Sequence, residues 1–212
     1  MLRLCPILLM LLSALPVRAD GKAGEFDYYV LSLSWEPNWC ALTGDARGDP
    51  QCDAGTGTGF IVHGLWPQYK VGYPSDCFTT EADPSRADTA AMVNIMGGAG
   101  LAFYEWKKHG RCTGLSSDAY FETLRRAFFL NVTIPPLFGQ VTRDLQVPPL
   151  VIQDAFLESN PQLSPDSITI TCDGAMIEEV RICLTKELAP RDCGMYVVDD
   201  CKRKEAALNA LR

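Results

Sequence analysis

Histidine is scarce in this chain, with only His63 and His109 among 212 residues. There is no internal repeat, low-complexity linker or break in composition, which leaves a single domain as the expectation. Beyond the first nineteen residues no apolar run approaches the ~20 residues that a membrane span requires, so no membrane association is expected. The chain also lacks Cys-x-x-Cys pairs, closely spaced histidines and clusters of Asp, Glu and His, so neither a metal nor another cofactor is expected. Positive charge is short as well. Without Arg3 and Arg18 the balance is 17 basic against 26 acidic residues, or 17 − 26 = −9. A protein that holds polyanions by broad electrostatic attraction is normally basic, so any nucleic acid must be recognised locally and turned over rather than held.

What is present begins with "MLRLCPILLMLLSALPVRA", an early arginine, an apolar run from Ile7 to Leu15 and a small-x-small ending at Ala19. This reads as a secretory signal peptide over residues 1–19, which predicts a secreted or periplasmic protein comprising residues 20–212. Its removal takes Cys5 and leaves Cys40, Cys52, Cys77, Cys112, Cys172, Cys183, Cys193 and Cys201. An even number in an exported chain reads as four disulfides of open connectivity. Asn131-Val132-Thr133 fits a glycosylation acceptor.

"FDYYVLSLSW" alternates, with Tyr29, Leu31, Leu33 and Trp35 on one face and Tyr28, Val30, Ser32 and Ser34 on the other, and predicts a strand. The Gly-, Pro- and Asp-rich stretch from Glu36 reads as a loop that a Cys40–Cys52 bridge would restrain. "GFIVHGLW" predicts a short strand ending near Gly64. Helices are expected over Arg86 to Ile95, Leu101 to His109, Asp118 to Leu130 with Ser117 as N-cap, and Leu150 to Glu158. The last third turns to strands, "SITITC", "AMIEEVRICLT" and "GMYVV", with a hairpin turn at Asp173-Gly174. Strands in succession with the helices grouped apart predict an α+β fold whose central sheet is mainly antiparallel, flanked by helices and stapled by about four disulfides.

In "FYEWKKHGRC" helical spacing gathers Glu105, Lys108 and His109 on one face. Alone, this is a surface ion pair beside a helix end, worth only ~0.3–0.5 kcal/mol. The second histidine changes the reading. His63, in "HGLWP", lies where a strand gives way to loop, Gly64 permits close backbone approach, and Trp66 offers a flat surface for a base or sugar. Two imidazoles with a carboxylate and an ammonium suit displacement at phosphorus by a neighbouring hydroxyl without metal. One imidazole takes a proton, the other gives one, and the cation stabilises charge on the non-bridging oxygens.

"FIVHGLWPQY" and "FYEWKKHGRC" resemble the two active-site segments of the ribonuclease T2 family, and "YYVLSLSWEPNWC" and "EEVRICLT" extend the likeness over nearly the whole chain. The resemblance implies an endoribonuclease that cleaves single-stranded RNA with little base preference, through a 2′,3′-cyclic phosphate to 3′-phosphate ends; a monomer is expected. DNA, lacking the 2′-hydroxyl, would not be cleaved. It implies His109 as general base, His63 as general acid, and Glu105 and Lys108 as groups that hold and polarise the phosphate. It also implies the pairs Cys77–Cys112, Cys172–Cys201, Cys183–Cys193 and Cys40–Cys52. The chain departs from the family at Tyr104, where a third histidine often stands, so either phosphate affinity is lower or Lys107 or Arg111 supplies it. It departs again at Gln68, where some members carry a base-reading aspartate. Trp66 remains the base-stacking candidate, with Tyr73 and Tyr69 behind it. A non-catalytic binding protein on the same fold is the competing reading, though such chains usually lose a histidine or the lysine that are kept here.

Overall fold

The computed structural model describes residues 21–197 and 201–212. The signal-peptide segment lies outside them. The strands are β1 (Tyr28–Trp35), β2 (Phe60–Gln68), β3 (Leu145–Val147), β4 (Ile168–Asp173), β5 (Met176–Leu184) and β6 (Ala206–Leu208). The helices are α1 (Glu36–Trp39), α2 (Asp45–Arg47), α3 (Arg86–Ala90), α4 (Val93–Met96), α5 (Ala99–Lys108), α6 (Ser117–Asn131) and α7 (Pro149–Ser159). The fold is α+β. One sheet runs β2-β1-β5 with β4 also paired to β5, all antiparallel, while β6 meets β5 through a single parallel pair, Met176 with Ala207, and carries β3.

The alternation of β1 separates two environments. Leu31, Leu33 and Trp35 enter the main core with Val62, Leu65, Trp106, Phe121 and Phe156. Phe60 packs its ring within 4.9–5.3 Å of Trp35, Phe138 and Phe156 and closes one end of that core. On the opposite face Tyr28 and Val30 pack with Cys183 and Val197. The β4–β5 hairpin turns at Gly174-Ala175, where Gly174 takes φ +56° that its missing Cβ makes inexpensive.

Several boundaries differ from the sequence reading, each for a local reason. The stretch after Trp35 is not a plain loop but a succession of short helical turns. The helix expected over Arg86 to Ile95 breaks into α3 and α4: Met92 N–H bonds back three residues to Thr89 O, which tightens the turn. Ser116, not Ser117, caps α6 by accepting from Ala119 N–H. β2 runs on past Gly64 to Gln68 because β1 pairs with it throughout. "GMYVV" forms no strand over its described residues 194–197. Asn131 is not free to accept a glycan, being buried with Nδ2 donating to Ala127 O and Leu188 O.

Four disulfides join the pairs that the resemblance implies. Among the described residues no helix is long and apolar enough to cross a membrane.

Candidate active site

The β1–β2 register slips between Ser32 and Leu33: Leu33 faces Val62 and Ser32 faces Gly64, which leaves His63 as the extra residue of a β-bulge. A bulge re-aims the side chain it carries. Val62 and Leu65 both stay in the core, while His63 turns to the opposite face. The core spacing of Phe60, Val62 and then Leu65 is the trace this leaves in the sequence.

On that face His63 Nδ1 is hydrogen-bonded to Glu179 Oε1 of β5. The other carboxylate oxygen, Oε2, accepts from Arg181 Nε at 2.8 Å and Nη2 at 2.7 Å. Glu179 is buried, and burial alone would lift its value, but His63 and Arg181 outweigh that and hold it below the usual carboxylate range. Burial likewise opposes charge on His63, and the hydrogen bond it donates to Glu179, with the fields of Glu179, Glu105 and Glu178, overrides it, so His63 titrates above an ordinary imidazole.

α5 supplies the second half. Glu105 is only 1% exposed. Its Oε2 accepts from Trp66 Nε1–H at 2.6 Å and its Oε1 lies 3.6 Å from His63 Nε2. Burial pushes its carboxyl up to about 7. Such proximity needs Gly64, because a Cβ there would stand 2.1 Å from Glu105 Oε2 and 2.4 Å from Trp66 Nε1. His109 ends α5, and its backbone N–H still bonds to Glu105 O. Its ring is largely buried, Nδ1 has no hydrogen-bond partner, and burial, with the neighbouring Lys108 and His63 charges, lowers its value to about 3. The two imidazoles therefore hold opposite states, one charged and one neutral, over a shared range of pH.

Trp66 lies between them, its ring 5.3 Å from each imidazole by centroid. Lys108 Nζ donates to Tyr104 Oη at 3.0 Å. These groups line one cavity of about 320 Å³, together with Gln68, Tyr73, Tyr196, Val30 and Arg181. All of His63, Trp66, Gln68, Tyr73, Tyr104, Glu105, Lys108 and His109 are thus brought to one place. Tyr69, Lys107 and Arg111 are not: none lines the cavity, and Arg111 is committed to Asp83 at 2.6 Å. Glu179, Arg181 and Tyr196 were missed as site residues. The triplet Glu179-Val180-Arg181, with Val180 in the core, places the two charged groups together on the other face.

The Ribonuclease T2 family model matches residues 26–193. A ribonuclease of Aeromonas hydrophila is 43% identical over 106 residues, covering 50% of this chain and 46% of the relative. A probable ribonuclease of Haemophilus influenzae is 32% identical, over 48% of this chain and 42% of the relative, so the chain spans about half the length of these relatives. Ribonuclease I of Escherichia coli is 28% identical over 80% of this chain and 79% of the relative. Among solved structures, an RNase-related protein from Calystegia sepium superposes with a TM-score of 0.66 at 22% identity, over 89% of this chain and 99% of that one. RNase NT, in complex with 5′-AMP, superposes at 0.59 and 22% identity, over 86% and 97%. At these identities the superpositions establish the fold.

Proposed function

The chain belongs to the ribonuclease T2 family, and on that premise we propose that it is a metal-independent endoribonuclease acting on single-stranded RNA by transphosphorylation. One observation carries the reading: two imidazoles in opposite protonation states border one cavity with an ammonium and a buried carboxyl.

His109, neutral because it is buried, removes the proton of the 2′-hydroxyl. The 2′-oxygen attacks the adjacent phosphorus, the bond to the 5′-oxygen breaks, and that oxygen takes the Nε2 proton of His63. A 2′,3′-cyclic phosphate results, and water opens it with the two histidines exchanging roles, leaving a 3′-phosphate. Lys108 stabilises charge on the non-bridging oxygens, and Tyr104, which accepts from its ammonium, places that charge at the mouth. Glu105 serves differently from an ordinary carboxylate. Its carboxyl, raised to about 7, is protonated in mild acid and donates to a phosphoryl oxygen that an anion would repel. Trp66, Tyr73 and Gln68 border the space for a base, and the charged groups nearest Trp66 are already engaged, Arg181 with Glu179 and Glu105 with the indole, which supports low base specificity. Unstacked single strands are the form whose bases reach such a cavity. Secretion or periplasmic export, with residues 1–19 removed, completes the proposal.

The test is incubation of the purified protein with RNA and with DNA, each with and without excess chelator, followed by end-group analysis. Cleavage of RNA alone, insensitive to chelator and passing through cyclic ends, is expected, and His109→Ala should abolish it while the circular dichroism spectrum is unchanged. Chelator sensitivity would replace the mechanism with a metal-dependent one. Intact RNA would favour a binding protein.

A further inference from the structure

The pairing of His63 with Glu179 and Arg181 goes beyond the acid, base and phosphate groups. Glu179 is 2% exposed, on a central strand, and 116 positions from His63 in sequence. Its two oxygens are divided between partners: Oε1 goes to the imidazole, and Oε2 meets both Nε and Nη2 of the guanidinium. Arg181 is itself steadied, with its guanidinium carbon 5.5 Å from the Trp66 ring centroid. The carboxylate is thus fixed in direction as well as in charge.

A histidine that acts as an acid from one nitrogen needs its other nitrogen held, since the partner of that nitrogen decides which proton the ring can release. Resting on the reading of His63 as general acid, we propose that Glu179 is its positioning residue: it holds the Nδ1 proton and leaves Nε2–H as the proton available to the departing 5′-oxygen. Arg181 keeps Oε2 occupied, so that Oε1 stays turned to the ring. The titratable and charged groups around His63 are Glu178, Glu179 and Arg181 from β5, Glu105 and Lys108 from α5, His109 just after it, and Glu36 from α1. Of these, only Glu179 meets Nδ1 directly, while Glu105 faces Nε2 across 3.6 Å.

Kinetics on two substrates separate this role from a purely structural one. A dinucleoside phosphate expels a ribose 5′-oxygen that must be protonated, whereas a ribonucleoside 3′-aryl phosphate expels an aryl oxide that leaves unassisted. Glu179→Gln should slow the dinucleoside on the order of 10²-fold while the aryl ester stays within about threefold of wild type. Its alkaline limb for the dinucleoside should move to lower pH, because the charged imidazole has lost its counter-ion, and Glu179→Asp should recover part of both effects. Equal slowing of the two substrates, or slowing of neither, would overturn the proposal. If His63→Ala itself shows no leaving-group dependence, the acid assignment fails first. A variant-independent reading comes from ¹⁵N-histidine spectra of the wild-type protein, in which only two rings appear. A protonated Nδ1 on His63 throughout the active pH range is expected, and its absence there would refute the role of Glu179 whether or not any variant folds.

Discussion

Gly64→Ala adds one methyl group at the most crowded point of the site. The new Cβ would lie 2.1 Å from Glu105 Oε2, 2.4 Å from Trp66 Nε1 and 2.9 Å from Glu105 Cδ, whereas ordinary contact begins near 3.4 Å. The carboxyl and the indole must each retreat by about 1 Å, and they are the two ends of one 2.6 Å hydrogen bond. Glu105 is buried and Trp66 sits between the two imidazoles, so the room open to either is the cavity itself, where a retreat displaces the reacting groups. Overpacking of this kind costs about 1–3 kcal/mol, and a lost buried hydrogen bond adds about 1–3 kcal/mol. Misplacement of reacting groups by about 1 Å costs on the order of 10²-fold in rate. The expected outcome is therefore a fall of about 2–6 kcal/mol in unfolding free energy by urea denaturation, with kcat/KM on a dinucleoside phosphate falling on the order of 10²-fold or more. Gly139, with no atom within 4 Å of its would-be Cβ, supplies the control. Gly139→Ala should change neither quantity. Wild-type stability and rate in Gly64→Ala would refute the claim that close approach at this glycine holds the site together.

What was legible in the sequence was what local periodicity or local chemistry writes down. The alternation of β1, the hairpin before β5 and the i, i+4 grouping of Glu105 with His109 all depend on neighbours, and each appears in the structure. Local signals miss where adjacent residues offer the same chemistry, and where long-range contacts decide. Ser117 looked like the cap of α6, yet the cap is one residue earlier because the Ser116 hydroxyl reaches Ala119 N–H. β3 and β6, at three residues each, are too short to show a period and exist by pairing with one another. Glu179 and Arg181 carried no chemical signature of their own, since their partner His63 lies two strands away. The bulge was visible only as a broken core spacing. The disulfide partners became readable through the family resemblance, because cysteine positions alone do not reveal which chain segments meet.

The remaining predictions concern the stapling and the buried acid beside the site. Cys77–Cys112 closes 35 residues and Cys40–Cys52 closes 12, so removing each pair should cost roughly 4 and roughly 3 kcal/mol of stability. Denaturation under non-reducing conditions reads the difference, and assays should show rate loss chiefly in the Cys77→Ala/Cys112→Ala variant, since Cys112 N–H bonds to His109 O. Glu36→Gln probes the buried acid. Glu36 is 2% exposed, and burial, assisted by Asp49, lifts its carboxyl from 4.5 to about 7 against the opposing pull of His63 and Arg212. The folded chain therefore binds this proton more tightly than the unfolded chain. The contribution to stability is complete below about 4.5 and is lost as pH rises through about 7, a swing of about 3 kcal/mol. A glutamine cannot ionise. Urea midpoints of wild type and variant should accordingly agree near pH ~4 and separate above pH ~7, with the variant the more stable. Parallel pH profiles for the two proteins would mean that Glu36 is buried without cost, and the link between its burial and its titration would fall.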